Sequence, residues 1–295
     1  SSRGLGDVYK RQRLNLRRRD VTFYRKQILS DSGLKSTIDV RQIEEAQANL
    51  WRNTQLYRRL LASMDTAAVT LLAQYLVVKC ILVTVSTEDF DSAYQIFNVL
   101  NDRGMALSTT DILKSKLLGR AKDTNSFTDR WENLESDLGR DSFQDLFAHI
   151  RMIRQRFKLR VSLLKAYEAD ILPGLDANQF LDNELEPYGE ALKVIQTATY
   201  RSTHGAEEVN KLLRILHRID NMDWLPAAMA FFIKKKSSPN ELIAFFKDLE
   251  RLAASMMVRR VYVTNRIKRY ALVLAAIESG ADLTAASSPL QLSLK

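Results

Sequence analysis

The spacing of apolar residues predicts a mainly α-helical protein. Over most of the chain, apolar residues recur at intervals of three or four, which is typical of amphipathic helices that pack against a core. Clusters of Gly, Pro, Asn and Asp separate the helical stretches. The pattern predicts helices after Asp20 and over about 40–64, 66–75, 90–100, 109–120, 127–138, 142–157, 179–200, 206–219, 225–235, 239–254 and 258–278.

Two short stretches carry a pattern that is typical of strands. Residues 76–85, LVVKCILVTV, are rich in β-branched side chains, which favour extended backbone. Leu14 and Leu16 alternate with polar neighbours and could pair with that strand. The sequence therefore predicts a multi-helix domain with a short β element at about residues 13–17 and 77–86.

The apolar period is lost at both ends of the chain. Residues 1–12, SSRGLGDVYKRQ, show no helical stripe and could be a non-native leader. Residues 279–295 lose the stripe of the preceding helix, and we expect a frayed or truncated tail there. Between these ends we expect two parts, residues 13–120 and a helical domain over residues 121–278.

The composition permits a large core and excludes several classes of protein. The chain has 295 residues, of which 46% are hydrophobic, with only 10 Gly and 5 Pro, which argues against a turn-rich β protein. The single cysteine, Cys80, cannot form an intrachain disulfide, and three histidines without cysteine partners cannot form a zinc finger. Aromatic residues at helical spacing, among them Phe143, Phe147 and Phe157, are predicted core residues. The apolar runs are too short to span a membrane, so we expect a cytoplasmic protein with no membrane partner.

Positive charge is concentrated near the N-terminus. The formal net charge is +9, and residues 1–30 carry nine Lys and Arg against two Asp. The rest of the chain is therefore nearly neutral. We interpret the first basic stretch as a solvated terminus, with phosphate contact as the alternative.

Two later stretches are locally basic and are candidates for contact with DNA. One lies between His149 and Lys165 and the other between Val258 and Tyr270, and neither contains an acidic residue. Either stretch could contact phosphates, and solvated outer faces of amphipathic helices explain them nearly as well. The candidate residues are Arg151, Arg154, Arg156, Lys158, Arg160, Arg259, Arg260, Arg266 and Arg269.

The sharpest local signal is a polar turn, residues 101–103, between two amphipathic helices. Gly104 can adopt the left-handed conformation that ends the first helix. Ser108 and Asp111 have the spacing of a capping box, which places the start of the second helix just after the turn. Free N–H groups at a helix N-terminus favour an anion, so this turn could bind a phosphate. An ordinary helical hairpin is the alternative.

The same segment resembles the signature of a known protein family. Residues 96–114 read I-F-x-x-L-N-D-R-G-x-x-L-S-x-x-D-I-L-K. This string closely resembles the signature F-x-x-L-N-D-R-G-x-x-L-S-x-x-D-L-L-K of the N-terminal domain family of GmrSD-type modification-dependent restriction endonucleases. The resemblance extends over about residues 13–277 and is strongest over residues 89–118.

The resemblance implies a function in defence against foreign DNA. Family members combine a ParB-like domain that binds and hydrolyses NTP, a helical region and often a His-Asn-His nuclease domain, and they act on modified DNA such as that of phage. Residues 13–120 would be the C-terminal part of the ParB-like domain. The complete protein would use NTP and a divalent metal and bind DNA, and homo-oligomerisation stays open. The residues implied at the rim of the nucleotide pocket are Asn101, Asp102, Arg103, Ser108, Asp111 and Lys114.

The sequence departs from the family pattern at both ends. The Asp-Gly-Gln-Gln-Arg motif that handles NTP in the family does not occur, and no His-Asn-His motif follows. His149, His204 and His217 lie apart on predicted helices, and we interpret them as packing or surface residues. We therefore expect an incomplete, catalytically inert piece of a restriction protein, with no metal site and no cofactor of its own. A non-enzymatic helical scaffold, or a module that binds DNA or a partner, is the alternative.

Overall fold

The computed structural model describes residue 16, residues 18–81 and residues 108–292. These residues are mainly helical, which confirms the predicted fold class, and they contain no β-strand. No helix among them has the length and hydropathy needed to cross a membrane. The chain divides into two compact units, Ser1–Glu88 and Asp89–Lys295.

The first unit contains two long helices after two short ones. Its described helices are α1 (Arg18–Phe23), which continues into a π-helical turn (Tyr24–Ile28), α2 (Asp31–Leu34), α3 (Glu45–Ala62) and α4 (Thr66–Lys79). The Ser30 hydroxyl caps α2 by accepting a hydrogen bond from the Gly33 N–H at 3.0 Å. The Asp65 carboxylate caps α4 by accepting one from the Ala68 N–H at 2.7 Å.

Helix α4 exposes much of its apolar surface. The side chains of Leu71, Tyr75 and Val77 are 67%, 60% and 83% exposed. A helix that is apolar on several sides is usually covered by other protein. The exposed surface of α4 is therefore more typical of a protein interface than of a helix that faces solvent.

The prediction of a strand at residues 77–86 is wrong for the part of this segment that the structure describes, residues 77–81. Residues 77–79 belong to α4, and Cys80 and Ile81 follow without regular structure. A short apolar run has no period that separates a buried strand from a helix, and here the helix simply continues through it. Its proposed partner strand is also not formed at Leu16, and the remaining residues of both stretches lie outside the described part of the chain.

The second unit is a bundle of helices joined by short turns. Its described helices are α5 (Thr109–Leu118), α6 (Thr124–Leu138), α7 (Arg140–Gln155), α8 (Leu163–Ala166), α9 (Ala177–Phe180), α10 (Glu186–Thr197), α11 (Ala206–Leu216), α12 (Leu225–Lys235), α13 (Pro239–Val258) and α14 (Val263–Ser279). One π-helical turn, Tyr167–Ile171, extends α8, and another, Leu181–Leu185, joins α9 to α10. The units divide between residues 88 and 89, and α5 packs within the second of them.

Helix α7 is the centre of the second unit. Its residues Phe143, Leu146, Phe147 and Ile150 are fully buried, and α5, α6, α10, α12 and α14 all pack against it. The ring of Phe147 lies 5.4 to 6.5 Å, centroid to centroid, from four other rings, which belong to Trp131, Phe143, Tyr167 and Phe180. The Tyr167 hydroxyl donates a hydrogen bond of 2.8 Å to the Phe147 carbonyl, so this buried polar group has a partner.

The segment after α14 packs against the bundle, in contrast to the frayed tail expected over residues 279–295. Leu290 is buried. The Gln291 amide donates hydrogen bonds to the Asp248 carboxylate at 2.7 Å and to the Leu283 carbonyl at 2.9 Å. Residues 280–292 form a series of turns on the surface of the bundle, in which only isolated side chains face the core. This is why their apolar residues do not recur at helical intervals.

Replacing Phe147 by Ala should strongly destabilise the protein. The change removes a ring that touches four others and leaves a cavity in a fully buried site, which costs about 3–5 kcal/mol. Urea unfolding followed by circular dichroism measures this loss. Val258→Ala, at a position that is 76% exposed, is the control and should change the free energy of unfolding by less than about 0.5 kcal/mol. Equal effects of the two variants would contradict the assignment of α7 as the core helix.

Candidate nucleic-acid interface

The start of α5 has the capping box that the sequence predicts. The Ser108 hydroxyl accepts a hydrogen bond from the Asp111 N–H at 3.1 Å, and the Asp111 carboxylate accepts one from the Ser108 N–H at 2.9 Å. These reciprocal bonds satisfy two backbone donors and fix the first turn of the helix. The turn residues Asn101, Asp102 and Arg103 lie outside the described residues.

Lys114, one turn further along α5, is already paired. Its ammonium group lies 2.9 Å from the Glu132 carboxylate of α6, and both side chains are largely buried. A neighbouring carboxylate offsets the positive charge that a phosphate would use. The structure therefore gives Lys114 a role in joining α5 to α6.

The three histidines lie at different places in the second unit and have different surroundings. The His217 Nε2–H donates a hydrogen bond of 2.9 Å to the Ile195 carbonyl, and the ring packs edge-on against Trp224. His204 is exposed and lies in a bend before α11, between the helices predicted over residues 179–200 and 206–219. Among the residues that the structure describes, no group of three or more His, Cys, Asp or Glu side chains could hold a metal ion.

His149 is a half-buried residue of α7 whose imidazole is neutral. Burial lowers the pKa of its imidazole to about 4, so the ring carries no charge near neutral pH. It lines a mostly apolar cavity of about 290 Å³ with Met152, Phe157 and Ile267 among its neighbours. These surroundings agree with the interpretation of His149 as a packing residue.

Five of the nine candidate DNA contacts are engaged inside the protein. Arg154 forms a two-pronged ion pair with Glu184, and Arg156 pairs with Glu278. The Arg266 guanidinium lies 2.6 Å from the Asp223 carboxylate. The other two engaged side chains donate to backbone carbonyls, Arg151 to Phe157 and Arg269 to Gln291.

The two basic stretches of the sequence meet along one face of α14. Arg156 ends α7 with a left-handed backbone conformation (φ 58°), and the chain then runs beside α14. The Lys158 ammonium donates a hydrogen bond of 3.4 Å to the Thr264 hydroxyl, which is 106 residues further along the chain. Together the two stretches line a groove of about 660 Å³, formed by Arg156, Phe157, Lys158, Arg160, Thr264, Ile267, Lys268, Ala271 and Leu272. We call this the basic groove.

The basic groove has four cationic side chains and no acidic residue in its lining. Lys158, Arg160 and Lys268 are exposed, and none of them forms an ion pair with a described residue. Arg259 and Arg260 are also exposed, but they lie at the end of α13 and do not line the groove. Of the predicted candidates, the groove therefore brings together Arg156, Lys158 and Arg160.

Sequence reasoning placed Phe157 in the core, and the structure corrects this. Its side chain is 51% exposed and lies between two basic residues of the groove. The predicted helix over 142–157 ends at Gln155, so the helical spacing that indicated burial does not reach Phe157. The position of Phe157 between two basic residues, just after the end of a helix, was the sequence feature that could have indicated its exposure.

The described part of the chain is thus a helical protein with a cationic groove on its second unit. Residues 7–118 match the family model described as GmrSD restriction endonuclease, N-terminal domain. The match ends at the last residue of α5, so the basic groove lies beyond it. No match was found among curated proteins or among solved structures.

Removing the cap of α5 should destabilise the second unit modestly. Ser108→Ala removes the oxygen that accepts the Asp111 N–H, a loss worth about 1 kcal/mol. Chemical denaturation of the variant and of Ser108→Asn, which restores a capping oxygen, measures this difference. If Ser108→Ala and Ser108→Asn are equally destabilised, the capping box does not hold the helix start.

The stability of the protein should fall at acidic pH through His149. The folded pKa of about 4 lies below the usual value near 6.5, so the unfolded chain takes up a proton that the folded protein does not. This contribution is complete above pH 6.5 and is lost as the pH falls towards 4, by about 1.4 kcal/mol per pH unit.

His149→Leu removes the titrating group and should flatten that dependence by roughly 2 kcal/mol between pH 6.5 and 4.5. Urea unfolding at several pH values measures the slope, and His204→Leu, at an exposed position, serves as the control. A wild-type slope in the His149 variant would show that this imidazole ionises freely in the folded state.

Proposed function

We propose that this chain is part of a GmrSD-like, NTP-dependent restriction protein that acts on modified foreign DNA such as phage DNA. The family match over residues 7–118 carries this proposal. The sequence contains neither the Asp-Gly-Gln-Gln-Arg motif nor a His-Asn-His motif. Its own contribution is therefore binding and positioning, and the chain alone should be catalytically inert.

The nucleotide would lie beside the turn that precedes α5. Arg103 would face a phosphate, with Asn101 and Asp102 at the rim, while the capping box of Ser108 and Asp111 holds the helix start. NTP and a divalent metal would be used by the complete protein. In a full-length homologue, Arg103→Ala should weaken NTP binding, and unchanged affinity in a folded variant would remove this assignment.

The DNA backbone would contact the basic groove. Its exposed cations Lys158, Arg160 and Lys268 have no acidic neighbour in the groove lining. Cations that release counterions from phosphates supply most of the sequence-independent affinity for DNA. Because both basic stretches line the same groove, one DNA strand could reach cations from each.

Replacing the three exposed cations of the groove by Ala should weaken DNA binding about tenfold or more at physiological salt. Each lost phosphate contact reduces the magnitude of the slope of log K against log salt concentration by about 1. The slope of the triple variant should therefore be smaller in magnitude by roughly 2 to 3. Fluorescence anisotropy with labelled DNA at several salt concentrations measures both quantities.

A matched control has the same change of charge elsewhere on the surface. Lys122, Lys211 and Arg218 are exposed and lie outside the groove. Their triple Ala variant should keep the wild-type affinity and salt slope. Equal weakening by both triple variants would point to net charge rather than to the basic groove, and absent binding even at low salt would exclude DNA as a partner of this chain.

A non-enzymatic module that binds a partner protein is the second candidate function. The exposed apolar side chains of α4, such as Leu71 and Val77, favour it. The two candidates differ in what the gene encodes upstream. An in-frame Asp-Gly-Gln-Gln-Arg motif would support the restriction protein, and a native start codon near Arg13 would support the binding module.

A further inference from the structure

The basic groove contains an exposed aromatic ring among its cations. Phe157 is 51% exposed, and its ring lines both the basic groove and the adjoining cavity of about 290 Å³. Lys158 also lines both spaces. The ring therefore offers an exposed apolar surface beside the exposed cations of the groove.

A buried arginine holds this ring in place. Arg151 is only 3% exposed, and its guanidinium carbon lies 4.4 Å from the centroid of the Phe157 ring. The same guanidinium donates a hydrogen bond to the Phe157 carbonyl, while its Nε has no partner among the described residues. The guanidinium thus contacts the ring of Phe157 and is bonded to the backbone of the same residue, which fixes the ring from one side.

Four cations line the groove together with the ring. Arg156 and Lys158 flank Phe157 in the chain, Arg160 follows, and Lys268 belongs to α14. Phosphates need cations, and bases need a flat apolar face on which to stack. An aromatic platform within a positively charged groove is the arrangement with which proteins bind unpaired nucleic-acid strands.

We propose that the basic groove binds an unpaired strand of DNA, with one base stacked on Phe157 and the neighbouring phosphates at Lys158, Arg160 and Lys268. This inference rests on the proposed DNA-binding function and specifies its substrate. In a duplex, both faces of each base are covered by its neighbours, so the ring could not reach a base face without unstacking. Arg151 is a positioning residue that keeps the ring fixed before the strand arrives.

Binding of a single-stranded oligonucleotide that contains 2-aminopurine, compared with a hairpin duplex of the same length, tests the proposal on the 295-residue chain. The wild-type protein should bind the single strand about tenfold more tightly and should change the 2-aminopurine fluorescence through stacking. Phe157→Ala should lose about tenfold in affinity for the single strand and the fluorescence change, with an unchanged salt slope. Phe157→Trp should restore both, and Tyr57→Ala, at an exposed aromatic position of α3, is the control.

The role of Arg151 has its own variant. Arg151→Met should reduce the fluorescence change while the salt slope, which depends on Lys158, Arg160 and Lys268, stays at the wild-type value. An unaltered fluorescence change in a folded Arg151→Met protein would remove its positioning role. If that variant does not fold, the pair Phe157→Ala and Phe157→Trp decides the proposal.

The possible failures are distinguishable. Equal binding of duplex and single strand with no effect of Phe157→Ala would overturn the stacking site and leave the basic groove as a duplex contact. Absence of binding to either DNA, with binding of an acidic peptide such as poly-glutamate instead, would overturn both the stacking site and the proposed DNA-binding function.

Discussion

Burial of the aromatic face of α7 is the constraint on which the second unit depends. Phe147 and its neighbours fix the position of this helix against the surrounding ones, and the helix in turn fixes where the chain leaves the core. At that point Arg156 adopts a left-handed conformation, and the following residues run beside α14. The basic groove thus depends on the core, since one of its walls is the direct continuation of α7.

Ion pairs elsewhere on the second unit neutralise basic side chains, so the groove stands out as a surface with net positive charge. Arg130 bonds to both Asp182 and Glu186, and these carboxylates raise the pKa of its guanidinium above the ordinary value. Arg154 and Glu184 form a similar pair. Exposed pairs of this kind contribute little stability, but they remove net charge from the surfaces on which they lie. Although the chain after residue 30 is nearly neutral overall, the groove is locally basic because three of its four cations, Lys158, Arg160 and Lys268, form no ion pair with a described acid.

The sequence predicts most of the longer helices of the second unit because their apolar residues recur at helical intervals, but it misses α8 and merges α9 and α10 into one helix. Helix α12, for example, is predicted and observed over residues 225–235. The prediction of a strand at residues 77–79 was wrong because a short, mostly apolar run has no repeat of polar residues that distinguishes a strand from a helix. The capping box of Ser108 and Asp111 is a local feature and was predicted correctly. Both basic stretches were also recognised, but their convergence joins residues 106 apart and depends on tertiary packing, which no local pattern encodes.

The π-helical turn at Leu181–Leu185 has a consequence for how related chains can vary in length. Such a turn holds about one residue more than an α-helical turn, so the residues after it are rotated by roughly 100° relative to those before it. The helical repeat of apolar residues in α10 is therefore shifted by about one residue relative to that in α9. Homologues that lack one residue here could close an ordinary turn and keep the phase of α10 unchanged. Single-residue deletions between these two helices should accordingly be tolerated more readily than within α7, where every buried ring would change its direction.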